Sequence, residues 1–517
     1  MKRYVISIDC GTQSVRALLF DQHGTLVHKV KSEFEPYVSS EPGFAEQDPD
    51  IYYHHILAVL KKLSDEQAEF IQYVEGMCMT VLRDTGVFLD ENLGVLRPSI
   101  LWLDQRKAVC DQALALSNQV KFKVTGMSRA IDMTRKLSKT NWVRENEPDI
   151  WRKTKYFVML PAYLQYKLTG ILVDTIGNQI GHVPFDYKKQ KWPSNSKDYR
   201  WEVFGIESDQ LCQLIPAGKV IGNLLPEIIQ KTGLPPGLKL IGGASDKGCE
   251  TLGVGCIDVT QASLSFGTTA TIQTTSRHYF EPLLFMPAYP AAIPGRFSPE
   301  VQIFRGYWMI RWFKNEFAAR EEQEAKKRGI APETILNECL KNIPPGSEGL
   351  ILQPYWTPGL KQLDAKGAVI GFSEVHTRGH LYKAIIEGIN YGLMEGLIKI
   401  EKKSHVKINQ VMVSGGGSQC DEICQITADM FNLPVHKGET YEAAGLGAAI
   451  ICFVGLGIYP DFEIAVANMV RYANIFQPQP QNAILYNTLF NKVYLKIFSH
   501  LKDLYFEIAQ IQKNEEK

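Results

Sequence analysis

The stretch from residue 4 to residue 30 constrains the fold more than any other part of the chain. Tyr4–Ile8 is apolar, Gly11-Thr12 breaks the run, and Val15–Phe20 resumes it. Asp21-Gln22-His23-Gly24 then turns again before Leu26–Val30. Short apolar runs punctuated by Gly-containing turns predict a three-stranded antiparallel meander. Such a start is unusual for an ordinary dinucleotide-binding fold, which opens strand–helix.

A related pattern recurs past mid-chain. Leu238–Gly242 reads as a strand and Asp246–Gly253 as a short helix, followed by Ala262–Phe266, a Gly267-Thr268 turn and Thr269–Thr274. The copy is imperfect, because this turn follows a strand–helix unit. Two strand–Gly-Thr–strand hairpins predict duplicated α/β domains facing each other. At 517 residues the chain exceeds one ordinary core. We therefore expect an N-terminal domain over 1–250 and a C-terminal domain over 251–517. Apolar Ala384, Ile385, Ile389, Leu393 and Leu397 mark a helix over His380–Lys402, and Cys420–Phe431, Tyr441–Leu456 and Ile484–Ile511 also read as helices. Pro-rich Phe285–Pro299 reads as a loop, and the tail after Asn514 as fraying.

Charge narrows the partner class. Lys and Arg together number 56 and Asp and Glu 56, so no broad basic field favours nucleic acid or a membrane surface. A small-molecule ligand fits that balance. The ten cysteines show no C-x-x-C spacing, which favours a reducing compartment. Val5–Ile8 stops at Asp9, too short for a signal-peptide core, and Ala448–Ile458 is about half a membrane span. The expectation is a soluble, cytoplasmic protein; the sequence leaves a homodimer open.

Four motifs carry chemistry. In Asp9-Cys10-Gly11-Thr12-Gln13-Ser14-Val15-Arg16, glycine allows a tight turn whose N–H groups point at one anion, with Thr and Ser hydroxyls as further donors. Asp9 at the strand end suits Mg²⁺, a hard ion that takes one or two carboxylates and keeps its waters. A plain hairpin turn is the competing reading. Ser265-Phe266-Gly267-Thr268-Thr269 is the second turn, weak alone and informative as a partner to the first. Val413-Ser414-Gly415-Gly416-Gly417-Ser418 joins a strand to a helix, where a ligand can approach the backbone and negative charge is favoured. Asp246, in Gly242-Gly243-Ala244-Ser245-Asp246-Lys247-Gly248, is either the N-cap of the following helix or a general base. Neither a Walker motif nor a protein-kinase motif set is present.

In order, these motifs resemble the FGGY carbohydrate kinases of the actin/Hsp70-type ATPase superfamily. The resemblance spans nearly the whole chain. It includes Pro98-Ser99-Ile100-Leu101-Trp102-Leu103-Asp104-Gln105-Arg106, Tyr163–Gly170, His376–Gly388 and Glu442-Ala443-Ala444-Gly445-Leu446-Gly447-Ala448-Ala449. It implies an α/β fold of two ribonuclease-H-like (actin-like ATPase) domains with a central cleft, using ATP and Mg²⁺. It implies that Asp9, with Asp246, attends the metal, and that Thr12, Gln13, Ser14, Arg16, Gly267 and Thr268 meet the phosphates. Gly416, Gly417 and Cys420 would lie by the adenosine, with Gly306 a looser nucleotide contact. Asp246 falls on the family's catalytic base. The implied activity is transfer of the γ-phosphate to a hydroxyl of a sugar or sugar alcohol, ketose or polyol. The alternative is an ATP-binding sugar sensor of the same fold that does not turn over.

The match thins at the sugar. Thr80-Val81-Leu82-Arg83-Asp84-Thr85-Gly86 is closer to the Arg-Glu pair of glycerol kinases than to the Met-His-Gly of xylulose kinases. Arg83 donates and Asp84 accepts, a pairing suited to hydroxyls. Trp102 and Asp104 are further pocket candidates, or else a core Trp and a loop-capping Asp. Lys247 puts a cation beside Asp246 that would lower its pKa if close. Cys420 replaces a usual Asn or Ser. Pro354-Tyr355-Trp356-Thr357-Pro358-Gly359-Leu360-Lys361 stands where the family has Gly-Glu-Arg.

Overall fold

A computed structural model of the chain describes residues 2–284, 286–357 and 365–515, and side chains as far as 512. Pro358, Gly359, Leu360 and Lys361, from the segment replacing Gly-Glu-Arg, lie outside the described residues, as does Phe285. The chain forms two compact units. The first comprises 1–257, 276–298 and 442–470, and the second comprises 258–275, 299–441 and 471–517.

The first unit is built on a six-stranded mixed sheet. Tyr4–Cys10, Ser14–Asp21 and Leu26–Glu33 form the antiparallel meander read from the sequence. Val74–Val81 adds parallel to Tyr4–Cys10, Lys239–Ser245 adds parallel to that, and Val220–Asn223 closes the edge antiparallel. Strand alternation sends Ile6, Ile8 and Cys10 to one face, where Tyr52, Ile56, Leu60 and Leu63 of helix Pro49–Glu66 cover them. Val5, Leu18 and Phe20 point to the other face, against Leu446, Ala449, Ile450 and Phe453 of helix Ala443–Gly455. Burial on both faces explains why these strands read as near-continuous apolar runs.

The helix Ala443–Gly455 also lies against helix Asp246–Gly253, backbone to backbone. A Cβ on Gly253 would fall 1.9 Å from the Ala443 carbonyl oxygen, and one on Gly447 1.9 Å from that of Cys249. The Gly-Leu-Gly pattern at 445–447 is therefore a packing requirement of the first unit.

The second unit repeats the topology. Gln261–Phe266, Ala270–Gln273 and Glu300–Ile303 form its meander, Gln410–Ser414 and Val435–Gly438 add parallel, and Tyr472–Phe476 closes antiparallel. The strand and helix at 239–253 belong to the first unit, so the repeat starts at Gln261. That removes the imperfection seen in the sequence. Helix Arg378–Ser404 carries the predicted apolar stripe, with Ala384, Ile385, Ile389 and Leu393 fully buried. The long C-terminal helix is interrupted: Pro480–Leu489 and Leu495–Glu515 flank a wider turn over Phe490–Tyr494. The stretch read as a loop contains two short paired strands, Tyr289–Pro290 and Phe297–Ser298. No helix among the described residues is long and apolar enough to cross a membrane.

Candidate functional site

In the first unit, the register of three parallel strands brings the two key carboxylates together. Asp9 pairs with Thr80, and Thr80 pairs with Ala244, two residues before Asp246. Both acids thus stand at carboxyl ends of strands, where open α/β sheets place their ligands. Asp9 is buried, and burial, reinforced by Glu442 and Asp246, pushes its carboxyl from 3.8 to about 6 against the pull of Arg16. Arg16 Nη1 lies 3.0 Å from Asp9 and 3.3 Å from Glu442, whose other oxygen accepts from Lys29 at 2.9 Å. The Arg16 side chain is thereby held in place by Asp9 and Glu442.

The capping reading of Asp246 is corrected. Ser245 is the N-cap of helix Asp246–Gly253, its hydroxyl accepting from the Gly248 N–H at 3.3 Å, and Asp246 is the first helical residue. Burial raises the Asp246 pKa and outweighs the opposing pull of Arg83 and Lys247. Lys247 does lower it, as its sequence position suggested, but its ammonium sits 2.6 Å from Glu250 and its pull is the smaller effect. The Asp246 Oδ1 accepts from the Lys247 N–H at 2.8 Å.

The acceptor-side candidates divide. The Arg83 guanidinium lies over the Tyr289 ring at 5.4 Å and acts electrostatically on Asp246. Asp84 adopts a left-handed backbone with φ of 51°. Burial would raise its pKa, yet Lys139 and His182 hold it well below the usual range. Its Oδ1 lies 3.0 Å from Lys139 Nζ and accepts from the His182 N–H at 3.0 Å, while Oδ2 meets His182 Nδ1 at 3.0 Å. Lys139 Nζ also donates to the Asp84 carbonyl. Asp104 does not present itself to a ligand. Its buried carboxylate accepts from Ala45 N at 2.6 Å, Arg106 N and Nε at 2.9 Å, and Arg106 Nη2 at 2.8 Å. Those four bonds fill a carboxylate's acceptor positions, so the loop-capping reading applies. Trp102 is no core residue: it is 44% exposed, and its Nε1 donates to Thr12 Oγ1 at 3.1 Å.

In the first Gly-Thr turn, Gly11 N–H donates to the Ser14 carbonyl at 3.0 Å. Gln13 is exposed, and Ser14 is buried at the start of the second strand.

The second unit gathers its own candidates. The Gly267 and Thr268 carbonyls accept from the Tyr307 and Trp308 N–H groups at 3.0 and 3.3 Å. Gly306 packs on Ala270, whose nitrogen would lie 2.3 Å from an added Cβ. Tyr307 stacks on Phe266 at 5.0 Å, and a Cβ on Gly417 would fall 2.2 Å from the Tyr307 ring. The second Gly-Thr turn, Gly306 and the 415–417 turn therefore form one cluster. Nothing lies within 4 Å of a Cβ on Gly416, which leaves its backbone open to an incoming group. Cys420 caps helix Asp421–Phe431 by position; burial pushes its thiol up to about 12, and its Sγ donates to Glu422 at 3.2 Å. It is a neutral thiol.

Sequence reasoning missed Glu442, Glu250, Lys139, His182 and Tyr289. Glu442 had a signal, as the one acid opening an otherwise apolar helix. Glu250 had one too, three residues after Lys247 on the same helix; Lys139, His182 and Tyr289 act through partners distant in sequence, with no local pattern. Among the described residues no group of three or more His, Cys, Asp or Glu side chains could hold a metal.

Comparison with known proteins identifies the family. Residues 4–253 match the N-terminal domain of the FGGY family of carbohydrate kinases, and residues 262–456 match its C-terminal domain. The chain is 28% identical over 527 residues to the xylulose kinase of Bacillus subtilis (strain 168), covering 99% of this chain and 100% of that protein. It is 25% identical over 541 residues to a gluconokinase of Bacillus licheniformis, covering 99% of each. Among solved structures, ligand-bound xylulose kinase from Lactobacillus acidophilus superimposes with a TM-score of 0.81 at 22% identity, over 98% of this chain and 100% of that one. Matched in order by both domains of the family, the chain belongs to the FGGY carbohydrate kinases, phosphotransferases with the actin-like ATPase fold.

Proposed function

We propose that this protein transfers the γ-phosphate of ATP to a hydroxyl of a sugar or sugar alcohol, ketose or polyol, with Asp246 as general base. The observation that carries the reading is the division of labour at 245–246. Ser245 caps the helix, which relieves Asp246 of that duty, and burial raises the Asp246 pKa. A base whose pKa is moved towards neutrality accepts a proton more readily in the transition state.

On this reading the acceptor O–H gives its proton to the Asp246 carboxylate as its oxygen attacks the γ-phosphorus. The bond from that phosphorus to the bridging β–γ oxygen breaks, and ADP leaves. Arg83, held over Tyr289, orients the acceptor beside Asp246. Thr12, Gln13, Ser14 and Arg16 serve the phosphates in the first unit. Gly267, Thr268, Gly416 and Gly417, with Gly306 and Cys420 bordering them, serve the nucleotide in the second.

The donor chemistry suits Mg²⁺. That ion takes one or two carboxylates and keeps water and phosphate as its other ligands. Asp9 and Asp246 are two hard oxygen donors, and the charge of Asp246 raises the Asp9 pKa, a repulsion a divalent cation relieves. Asp9 and Asp246 would hold the ion, which when bound neutralises charge on the phosphate oxygens.

The test is ADP release with D-xylulose, D-gluconate and a panel of other ketoses, polyols and sugar acids, on wild type and Asp246→Asn. Acceptor-dependent release in the wild type and its loss in the variant support the assignment. Equal rates in both proteins refute Asp246 as the base.

A further inference from the structure

Trp102 and Thr12 are 90 residues apart in sequence and joined by a hydrogen bond of 3.1 Å. An indole N–H only donates, so the Thr12 oxygen is the acceptor. A threonine hydroxyl has one proton of its own, and with the indole fixed on one lone pair that proton points away from Trp102. The turn thereby presents an O–H donor already oriented for an anion.

The loop that carries Trp102 is built to keep it there. Leu101 N–H donates to the Ala45 carbonyl at 3.0 Å, and Asp104 binds Ala45 N and grips Arg106 through the four bonds already described. The Arg106 guanidinium sits in the corner of two perpendicular rings, 3.8 Å from the Phe44 ring centre and 4.5 Å from that of Trp142. Trp102 is 44% exposed and so is not held by core packing. What holds it is this anchored loop at one end and Thr12 at the other.

We infer that Trp102 is a positioning residue for nucleotide binding, acting through the Thr12 hydroxyl, and that its exposed ring is not the sole source of its importance. The inference rests on the reading of the 11–14 turn as a phosphate site. It separates two roles for one side chain: the ring's apolar face, available to an acceptor, and the N–H, committed to the turn.

The experiment is calorimetric titration of the full-length protein with the magnesium complex of the non-hydrolysable ATP analogue AMP-PNP. The proteins are wild type, Thr12→Val, Trp102→Phe and the double variant, each checked by its thermal midpoint. Phenylalanine keeps a ring and removes the N–H. Each single variant is expected to weaken binding about tenfold, the scale of one hydrogen bond to a charged group. The double variant should also lose about tenfold and not the hundredfold of independent effects. If Thr12→Val weakens binding and Trp102→Phe does not, the inference is overturned while the phosphate reading of the turn survives. A double variant showing multiplied losses overturns it too. If Thr12→Val itself is silent, the phosphate reading fails and the inference falls with it.

Discussion

Asp9→Asn should stabilise the apo protein above neutral pH while impairing its activity. The folded state holds the Asp9 carboxyl at about 6, against 3.8 ordinarily. Ionising it in the fold therefore costs about 3 kcal/mol more than in the unfolded chain. The sign follows by linkage: with a raised folded-state pKa, the stability tied to the protonated form is complete below 3.8 and lost as pH rises through about 6. Asparagine cannot ionise, so the variant escapes that loss. Arg16 is not stranded by the change, because Glu442 remains 3.3 Å from it. The assay is urea unfolding of both proteins in EDTA at intervals from about pH 4 to pH 8, plotted as variant minus wild type. Groups common to the two proteins cancel in that difference. It should climb by about 3 kcal/mol, centred between the two pKa values. A flat difference, or one that falls with pH, would refute the electrostatic account of Asp9. Magnesium with ADP should then stabilise the wild type more than the variant.

Other outcomes follow from the same geometry. In Asp246→Asn, kcat should drop by about 10²–10⁴-fold. In the metal-free wild type the Asp246 carboxyl should titrate above the ordinary aspartate value, read by NMR, because burial outweighs the pull of Arg83 and Lys247. Lys139→Met should destabilise the first unit by about 1–3 kcal/mol, since it leaves the half-buried Asp84 carboxylate with His182 alone. Asp84 is held low, so that deficit should be present at neutral pH and shrink in acid as Asp84 protonates, read by unfolding at pH 7 and below 4. Gly417→Ala would press a methyl group into the Tyr307 ring, and thermal melts should show a loss of about 1–3 kcal/mol with weakened AMP-PNP binding.

Much of the fold was legible because its signals are local. The opening meander and the apolar stripe of helix Arg378–Ser404 follow from residue periodicity, and the structure contains both. The wider turn at Phe490–Tyr494 was not legible, since inserting it leaves the run of helix-forming residues unbroken. At the site, Asp9 could be singled out near the end of an apolar strand, two residues before a glycine, and Asp246 through the family resemblance, its position alone fitting an N-cap equally well. The states of Asp84 and Asp104 could not be read in that way. Asp84 is governed by Lys139, 55 positions away, and Asp104 by Arg106, two residues on, together with the backbone of Ala45, 59 positions away. Between an acid that meets a ligand and one that clamps a loop, the deciding information is tertiary. Lys247 is a different case: its pairing with Glu250, three residues on along the same helix, is local, and what was not legible is that burial of Asp246 outweighs its pull.

The discontinuity of the first unit bears on how the protein is made. Its sheet strands have all been synthesised by residue 257, yet the helix that covers Val5, Leu18 and Phe20 comes from segment 442–470. At roughly 5–20 residues per second, a ribosome needs on the order of 10–40 seconds to cover the intervening stretch. For that interval one face of a finished-looking sheet lacks its covering helix. A nascent chain halted after residue 257 should therefore bind an apolar dye or a holdase chaperone, and release it once residue 470 clears the exit tunnel.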